Sequence, residues 1–585
     1  MTLPAAERKW MFPEQAPEKS VRLLCSELKC SPLLGRLLVQ RGITDPAAAQ
    51  RFLNPSLKDF EDPTSLSGLP KAAERLAQAV HTGEPITVFG DYDVDGVSST
   101  ALLVNFLRSV EAKVDFFIPH RLKDGYGLSK DGIEQAVARG TKVIVTVDNG
   151  VAHPDEVAHA QAAGVDVIVT DHHQVPEGGT PAFAMVNPHQ EGCTYPFKLL
   201  AGAGIAFNLA VGLRSVLRER GHFDKLAEPT LTDFIDLASL GTVADVVPLL
   251  ETNRLITHFG LQQIRRSRWR GLRALLDVAL GDKQGALDAG DIGFQIAPRI
   301  NAGGRLSDAT DAVELLTTDD ETRARAIAAT LDAHNRERRE MEREMVDEAV
   351  ARIERDNLLS DRQSLVLWSE GWHPGVVGIV AARLVDRFHR PAIVAGIIDG
   401  QAKASARSIS GYNVYHGMKE ASAHLEQFGG HALAAGFSAD PEKLGAFYDA
   451  FDANVREWTN EDILTPKVRV DLRLAPEEVT EQLAEELSAL EPFGMGNPRP
   501  VLGLEGVRIA GPRLLKERHL KGALVTGGRP VDVIGFGMTD RYAPELLVPA
   551  GGAPLEVDLA ATLEWNEWNG RRSLQLRVRD LKLRG

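Results

Sequence analysis

An acid and two imidazoles stand together at Asp171, His172 and His173, just after the apolar run Val165–Val169. Carboxylate oxygens and neutral imidazole nitrogens are ligands for divalent cations. Three further acidic clusters follow apolar runs in the same way. Ile86–Gly90 leads into Asp91, Asp93 and Asp95, Lys142–Val147 into Asp148-Asn149-Gly150, and Leu237–Ala244 into Asp245. All four runs read as strands. In an open parallel α/β sheet, ligands gather outside the carboxyl ends of the strands, so acids placed there converge on one crevice that favours cations.

Two divalent ions held about 3.5 to 4 Å apart need a bridging carboxylate, flanking acids and usually a histidine, with open positions for water and phosphate oxygens. The chain supplies that inventory. Asp93 and Asp95 alternate along a glycine-terminated loop and can address different ions, Asp148 is the candidate bridge, His172 offers a nitrogen, and Asp245 completes the set. There is no thiolate pair for a soft metal, and oxygen-rich ligands with one imidazole suit Mn²⁺ or Mg²⁺. Any single Asp after a strand is as readily the N-cap of the next helix. Four such clusters at equivalent sheet positions are far less common by chance.

Positioning these groups takes more than one domain, since 585 residues exceed a single core. A helical extension is expected over 1–70 and alternating strands and helices over 71–320, the sign of a parallel sheet covered by helices. Residues 321–357 lack Gly and Pro and are rich in Glu, Arg and Ala, so they predict one long connecting helix. A smaller α/β domain follows over 358–458. Alternating segments such as Lys467–Leu472 and Ser573–Val578 predict a small β-barrel over 459–585.

Three cysteines argue against a disulfide framework, and no segment reads as a signal peptide or membrane span, so a cytoplasmic monomer is expected. The formal net charge of −15 speaks against a general phosphate-binding surface. Locally, Ile264–Arg273 packs five arginines around Trp269, which fits either a phosphate track or a solvated helix face.

The motifs Asp93-x-Asp95, Asp148, Asp171-His172-His173 and Gly241–Asp245 resemble the four ordered motifs of the DHH phosphoesterase superfamily. Ser369–Gly378, Ser405-Ala-Arg407-Ser408 and Phe428–Gly436 resemble its DHHA1 companion domain. With Arg299–Arg305 and Pro492–Pro498, the chain is similar to the RecJ single-strand-specific 5'-3' exonucleases. The barrel then resembles an oligonucleotide-binding fold, with Phe493, Phe536, Trp565 and Trp568 available for base stacking.

That resemblance implies that Asp93, Asp95, Asp148, His172 and Asp245 hold two metals, that His173 faces the scissile phosphate as a donor, and that Asp171 orients its neighbouring imidazole. It implies two-metal hydrolysis from the 5' end, releasing 5'-mononucleotides, in a slot between two lobes too narrow for a duplex. Ser405, Arg407, Gly429, Gly430 and His431 would bind the terminal 5'-phosphate, with Arg121 reaching in from the first lobe. Arg299 and Arg305 would grip internal phosphates or else pair with acids of the linking helix. The implied partners are single-stranded DNA, single-strand-binding protein and a helicase. Phe89 departs from the pattern, because small-phosphate relatives carry a metal-binding His there; Asp91, Asp93 or water is left to fill the place. The competing readings are a hydrolase of short oligoribonucleotides or cyclic dinucleotides, and a DNA-binding scaffold with a degenerate site.

Overall fold

Three of the four apolar runs form adjacent strands of one sheet in the computed structural model, which describes residues 8–121, 125–281, 283, 285–306, 308–526, 528–568 and 571–584, without the side chains of Leu306 and Trp568. Strands β1 (Ile86–Phe89), β2 (Val114–Phe117), β3 (Val143–Val147), β4 (Asp166–Thr170) and β5 (Ala184–Val186) are all parallel, in the order β2-β1-β3-β4-β5. β1 and β3 are buried at every position. Alternation sends Val143, Val145 and Val147 into one apolar cluster and Ile144 into another, so the sheet is covered on both faces. Strand order reverses between β1 and β3, which makes their carboxyl ends the switch point where ligands bind.

The fourth run differs from expectation. Ile235–Ala244 is a helix rather than a strand, and Asp245 is its C-cap. A short apolar run bounded by polar residues fits a buried helix as well as a buried strand, and here Leu237, Ala238 and Leu240 all join the sheet's larger core cluster. We label it α3, after α1 (Val94–Ser109) and α2 (Gly202–Glu219).

Helix α4 (Glu251–Ile264) follows, and then α5 (Glu321–Arg355), 35 residues long, over the stretch expected to be a long helix. The chain forms two compact units. One comprises Asp45–Asn335 and Ala489–Arg499; the other comprises the N-terminal residues through Thr44, Arg336–Ser488 and Pro500 onward. The stretches expected as extension (1–70) and barrel (459–585) therefore each give residues to both units.

Among the described residues the second unit holds three sheets, the smallest a parallel pair of Lys9–Met11 and Lys467–Arg469. Strands β6 (Leu365–Ser369), β7 (Ala392–Ile398), β8 (Gln401–Arg407), β9 (Gln427–Gly430) and β10 (Ala434–Ala439) run in the order β9-β10-β8-β7-β6, with α6 (Pro374–Phe388) joining the parallel pair β6 and β7. The remaining sheet contains Leu502–Leu515, His519–Leu524, Val531–Gly535, Arg571–Leu583 and Leu555–Trp568 as neighbours in that order. Pairing of the first with the last closes these five strands into a barrel, and the short strand Leu472–Arg473 pairs with the first as well.

Arg254 of α4 is 3% exposed and ties the Ala489–Arg499 segment to its unit. It donates to the carbonyls of Leu490 at 3.0 Å and Glu491 at 2.6 Å, and to Phe52 O at 3.0 Å, with its guanidinium 3.8 Å from the Phe52 ring. Removing it leaves several buried carbonyls without a charged donor. Arg254→Ala is expected to lower stability by about 3 kcal/mol in chemical denaturation, and Arg254→Lys, lacking the planar fork, to recover little of it.

Candidate metal centre

Strand ends, one loop and two helix termini bring the acids together. Ligand atoms lie within 4.8 Å of one another in three groups: Asp91, Asp93 and Asp148; Asp148, His172 and His173; and Asp95, His172 and Asp245. Asp148 and His172 each belong to two groups, the geometry a bridging carboxylate and its neighbouring imidazole require. His172 Nε2 lies 3.1 Å from Asp148 Oδ1 and 3.6 Å from Asp245 Oδ2. Buried Asp91 Oδ1, Asp148 Oδ1 and His172 Nε2 have no hydrogen-bond partner. Unmatched lone pairs facing one another in a buried space are costly unless a cation joins them, so the residues present fit a divalent metal pair.

The surroundings are shaped for this crowding. Asp95 Oδ2 accepts from Gly202 N at 2.7 Å and Oδ1 from Ala203 N at 2.8 Å, so its carboxylate caps the amino end of α2. Two glycines are required by space. A Cβ on Gly202 would lie 2.8 Å from Asp148 Cβ, and one on Gly241 would lie 2.4 Å from Asp95 Oδ1. Asp148 itself sits at φ 62°, a strained conformation for a side chain-bearing residue. Buried Asn149 holds that turn by donating to Phe89 O at 3.2 Å and Val147 O at 2.9 Å.

Asp171 takes a different role from the other acids. Its Oδ2 accepts from Val151 N at 3.0 Å, while Oδ1 faces His173 Nδ1 at 2.7 Å and accepts from His173 N at 3.1 Å. The carboxylate thus orients His173 and leaves that ring's Nε2 pointing away from it. Tyr126, absent from the sequence reasoning, donates its hydroxyl to Asp148 O at 2.8 Å and sets its ring edge against His173. No spacing rule marks such a tyrosine. Asp91 was legible as the first acid of the alternating 91, 93, 95 series, and it is 2% exposed beside Asp93 and Asp148. Phe89 is fully buried against Phe117 and offers no ligand atom, whereas an Asp91 oxygen lies within 4.8 Å of oxygens of Asp93 and Asp148.

Electrostatics follow from burial. Burial, then the neighbouring Asp93, raises Asp91 to about 8 and Asp95 to about 7. Asp245 is raised to about 8 by burial and then by Asp95 and Asp93; Asp148 is held well above the usual carboxylate range by burial and the same acids. Burial, then His173, lowers His172 to about 4, which keeps its ring neutral. Burial pulls His173 down, but the hydrogen bond and charge of Asp171 outweigh it and raise the ring to about 8. Adjacent imidazoles are thereby set apart, one held neutral and the other a cation.

The basic candidates divide. Arg121 lies 4.9 Å over the Tyr92 ring and acts on the charge of Asp91, while Arg305 acts on Tyr92. Arg299 takes the second of its two expected uses, pairing with an acid of the long helix in place of a phosphate: 8% exposed, it pairs with Asp332 of α5 at 2.9 Å and donates to Gln295 O at 2.5 Å. Trp269 packs on Phe234, donates to Asp236 and carries the Arg268 guanidinium over its ring at 5.1 Å. In the second unit, Arg407 Nη1 donates to Ser405 Oγ at 2.9 Å, and a Cβ on Gly378 of α6 would lie 2.9 Å from that oxygen. Register puts Gly436 beside Ser405 and Gly429 beside Gly436, with Gly430 at φ 138° leading to exposed His431. Of the aromatics, Phe536 is 57% exposed, Trp565 lies under Arg572, Phe493 belongs with the first unit under Arg499, and the Trp568 side chain falls outside the described residues.

The raised acids fix a pH dependence. Their folded pKa values lie above the unfolded value of about 3.9, so the stability they contribute is complete below about pH 4 and is lost as pH rises through 7 to 8. A divalent cation reverses this penalty by displacing the protons. Thermal unfolding with chelator is expected to weaken from about pH 5 to about pH 8, and the gain from Mn²⁺ to grow over the same range. A gain independent of pH would contradict the assignment.

Comparison with known proteins agrees with this geometry. Residues 85–242 match the DHH family N-terminal domain, 361–457 the DHHA1 domain, and 470–580 the RecJ OB domain. The chain is 41% identical over 562 residues to the single-stranded-DNA-specific exonuclease RecJ of Escherichia coli, covering 93% of this chain and 95% of that one. It is 38% identical over 580 residues to the Bacillus subtilis protein of the same name, covering 98% and 71%. The crystal structure of RecJ in complex with Mn²⁺ from Thermus thermophilus covers 99% of this chain and 80% of its own, at 31% identity and a TM-score of 0.81; its Mg²⁺ complex gives 0.76. The chain belongs to the RecJ family of single-stranded-DNA-specific exonucleases.

Proposed function

We propose that the protein degrades single-stranded DNA from its 5' end with two divalent cations, Mn²⁺ or Mg²⁺, releasing 5'-mononucleotides. The observation that carries this reading is the buried, hydrogen-bond-free meeting of Asp91 Oδ1, Asp148 Oδ1 and His172 Nε2 at the switch point of the sheet. Asp91, Asp93, Asp95, Asp148, His172 and Asp245 would hold the cations. When bound, such a pair polarises a phosphoryl oxygen and lowers the pKa of water.

The chain's own groups supply the rest. The α2 amides fix Asp95, and Asn149 fixes the turn that presents Asp148. His173 is protonated near neutral pH, its Nδ1 engaged by Asp171, so Nε2 presents a proton to a phosphate oxygen as negative charge builds there. Ser405, Arg407 and the Gly429 backbone form the pocket for the terminal 5'-phosphate, whose grip sets polarity.

Near-complete coverage of polymer-degrading relatives supports a long-strand substrate over short oligoribonucleotides or cyclic dinucleotides. Work in recombination and repair, alongside a helicase and single-strand-binding protein, belongs to the same reading. So does a cytoplasmic monomer: all three cysteines are free, and among the described residues no helix is long and apolar enough to cross a membrane.

Asp148→Ala and His172→Ala are each expected to reduce turnover about a thousandfold or more on end-labelled single strands, with folding unchanged by circular dichroism. Retained turnover would remove the metal assignment. Arg407→Ala is expected to lower the preference for 5'-phosphorylated over 5'-hydroxyl strands about tenfold while sparing the rate on hydroxyl ends. Early release of label from the 3' end would reverse the polarity.

A further inference from the structure

Along β8, the side chains of Arg407, Ser405, Lys403 and Gln401 alternate onto one face of the sheet. On β10, Gly436 lies beside Ser405 and Ser438 beside Lys403; on the edge strand β9, Gly429 lies beside Gly436 and Gln427 beside Ser438. The face therefore has two tiers. Ser405, Gly436 and Gly429, with Arg407, form the terminal-phosphate pocket of the proposed function. Lys403, Ser438 and Gln427 form a second tier about 6.8 Å further along the strands, the rise of two residues.

This second tier opens into a cavity of about 670 Å³, whose lining also includes Gln401 and Glu426. Lys403 is exposed and pairs with no acid among the described residues, whereas Glu426 accepts from Gln401 Nε2 at 2.7 Å. The aromatic rings nearby are turned elsewhere: Phe437 is buried in the core beneath the sheet, and Phe428 packs on Tyr415. Phe428 and Phe437 line the cavity without turning a ring face into it, the Glu426 carboxylate is engaged by Gln401, and the free Lys403 ammonium with the Ser438 hydroxyl and Gln427 amide suits further phosphates rather than a base.

We propose that this second tier receives the outer phosphates of a strand whose 5' end carries a triphosphate, with Lys403 as the residue that determines acceptance of such ends. The inference rests on the terminal-phosphate reading of Ser405 and Arg407. The reaction is unchanged. The oxygen of water bonds to the phosphorus of the first internucleotide linkage, the P–O3' bond breaks, and O3' of the first nucleotide takes up a proton. The first product is then a nucleoside 5'-triphosphate, and the shortened strand begins with a monophosphate.

The test gives the full-length protein and Mn²⁺ three otherwise identical single strands, beginning with a hydroxyl, a monophosphate or a triphosphate. Expected is one nucleoside triphosphate released per triphosphate strand, at an initiation rate within about tenfold of the monophosphate strand. Lys403→Ala slows initiation on the triphosphate strand about tenfold and leaves the monophosphate strand unchanged, while Lys403→Arg restores it. The proposal is overturned if triphosphate ends block initiation, if the first product is longer than one nucleotide, or if Lys403→Ala slows both strands equally. A wild-type protein that does not distinguish hydroxyl from monophosphate ends would instead remove the underlying pocket, and the second tier with it.

Discussion

Repulsion among buried carboxylates is the constraint around which the first unit is organised. Two unit charges 4 Å apart interact by about 4 kcal/mol at the effective dielectric near a protein surface, and Asp148 faces several such partners. Folding meets this with fixed dipoles and a rigid frame. The amino end of α2 takes both oxygens of Asp95. Beneath the loop, Thr170 Oγ1 donates to Thr146 O at 2.7 Å, Thr146 Oγ1 to Asn149 O at 2.7 Å, and Asn149 to Phe89 O, so the ends of β4, β3 and β1 are locked together. The geometry of these acids is preorganised because the polar atoms holding it are buried and hydrogen-bonded.

How much of this was written in the sequence depends on the kind of signal. The strands before Asp91, Asp148 and Asp171 announce themselves, since a parallel sheet covered on both sides needs unbroken apolar runs. The long helix was equally plain from its lack of Gly and Pro. Asp245 was placed among the candidate ligands although its element was misread: Ile235–Ala244 is buried on nearly every side, and its short apolar run has no period to separate helix from strand. The ends of α2 and α3 were invisible as contributors because their part is played by backbone and by Gly202 and Gly241, whose lack of a Cβ matters only at the observed contact distances.

Arg299 and Arg407 show why residue type alone leaves a role open. Both stand in glycine-containing motifs and both were candidates for phosphate. Arg299 is enclosed and spends its donors on Asp332 and carbonyl groups, a structural use that fixes α5 against its own unit. Arg407 lies in an open, glycine-lined sheet face beside Ser405. Guanidinium groups serve either purpose, and burial together with partner count decides which.

A net charge of −15 poses a last problem for a protein that handles a polyanion. Screening confines the question to the site, because charges more than about 8 Å apart are largely hidden from one another at physiological salt. There, five carboxylates (Asp91, Asp93, Asp95, Asp148 and Asp245) face one protonated imidazole, His173. Once its acids are ionised, above about pH 8, that edge by itself repels phosphate. A pair of divalent cations brings it close to neutral and leaves His173 and the nearby Arg121 as the outward-facing positive groups. The same cations that serve the chemistry thus also decide whether a phosphate can approach, so loss of metal should weaken substrate binding as well as turnover, although the chain's arginines remain in place.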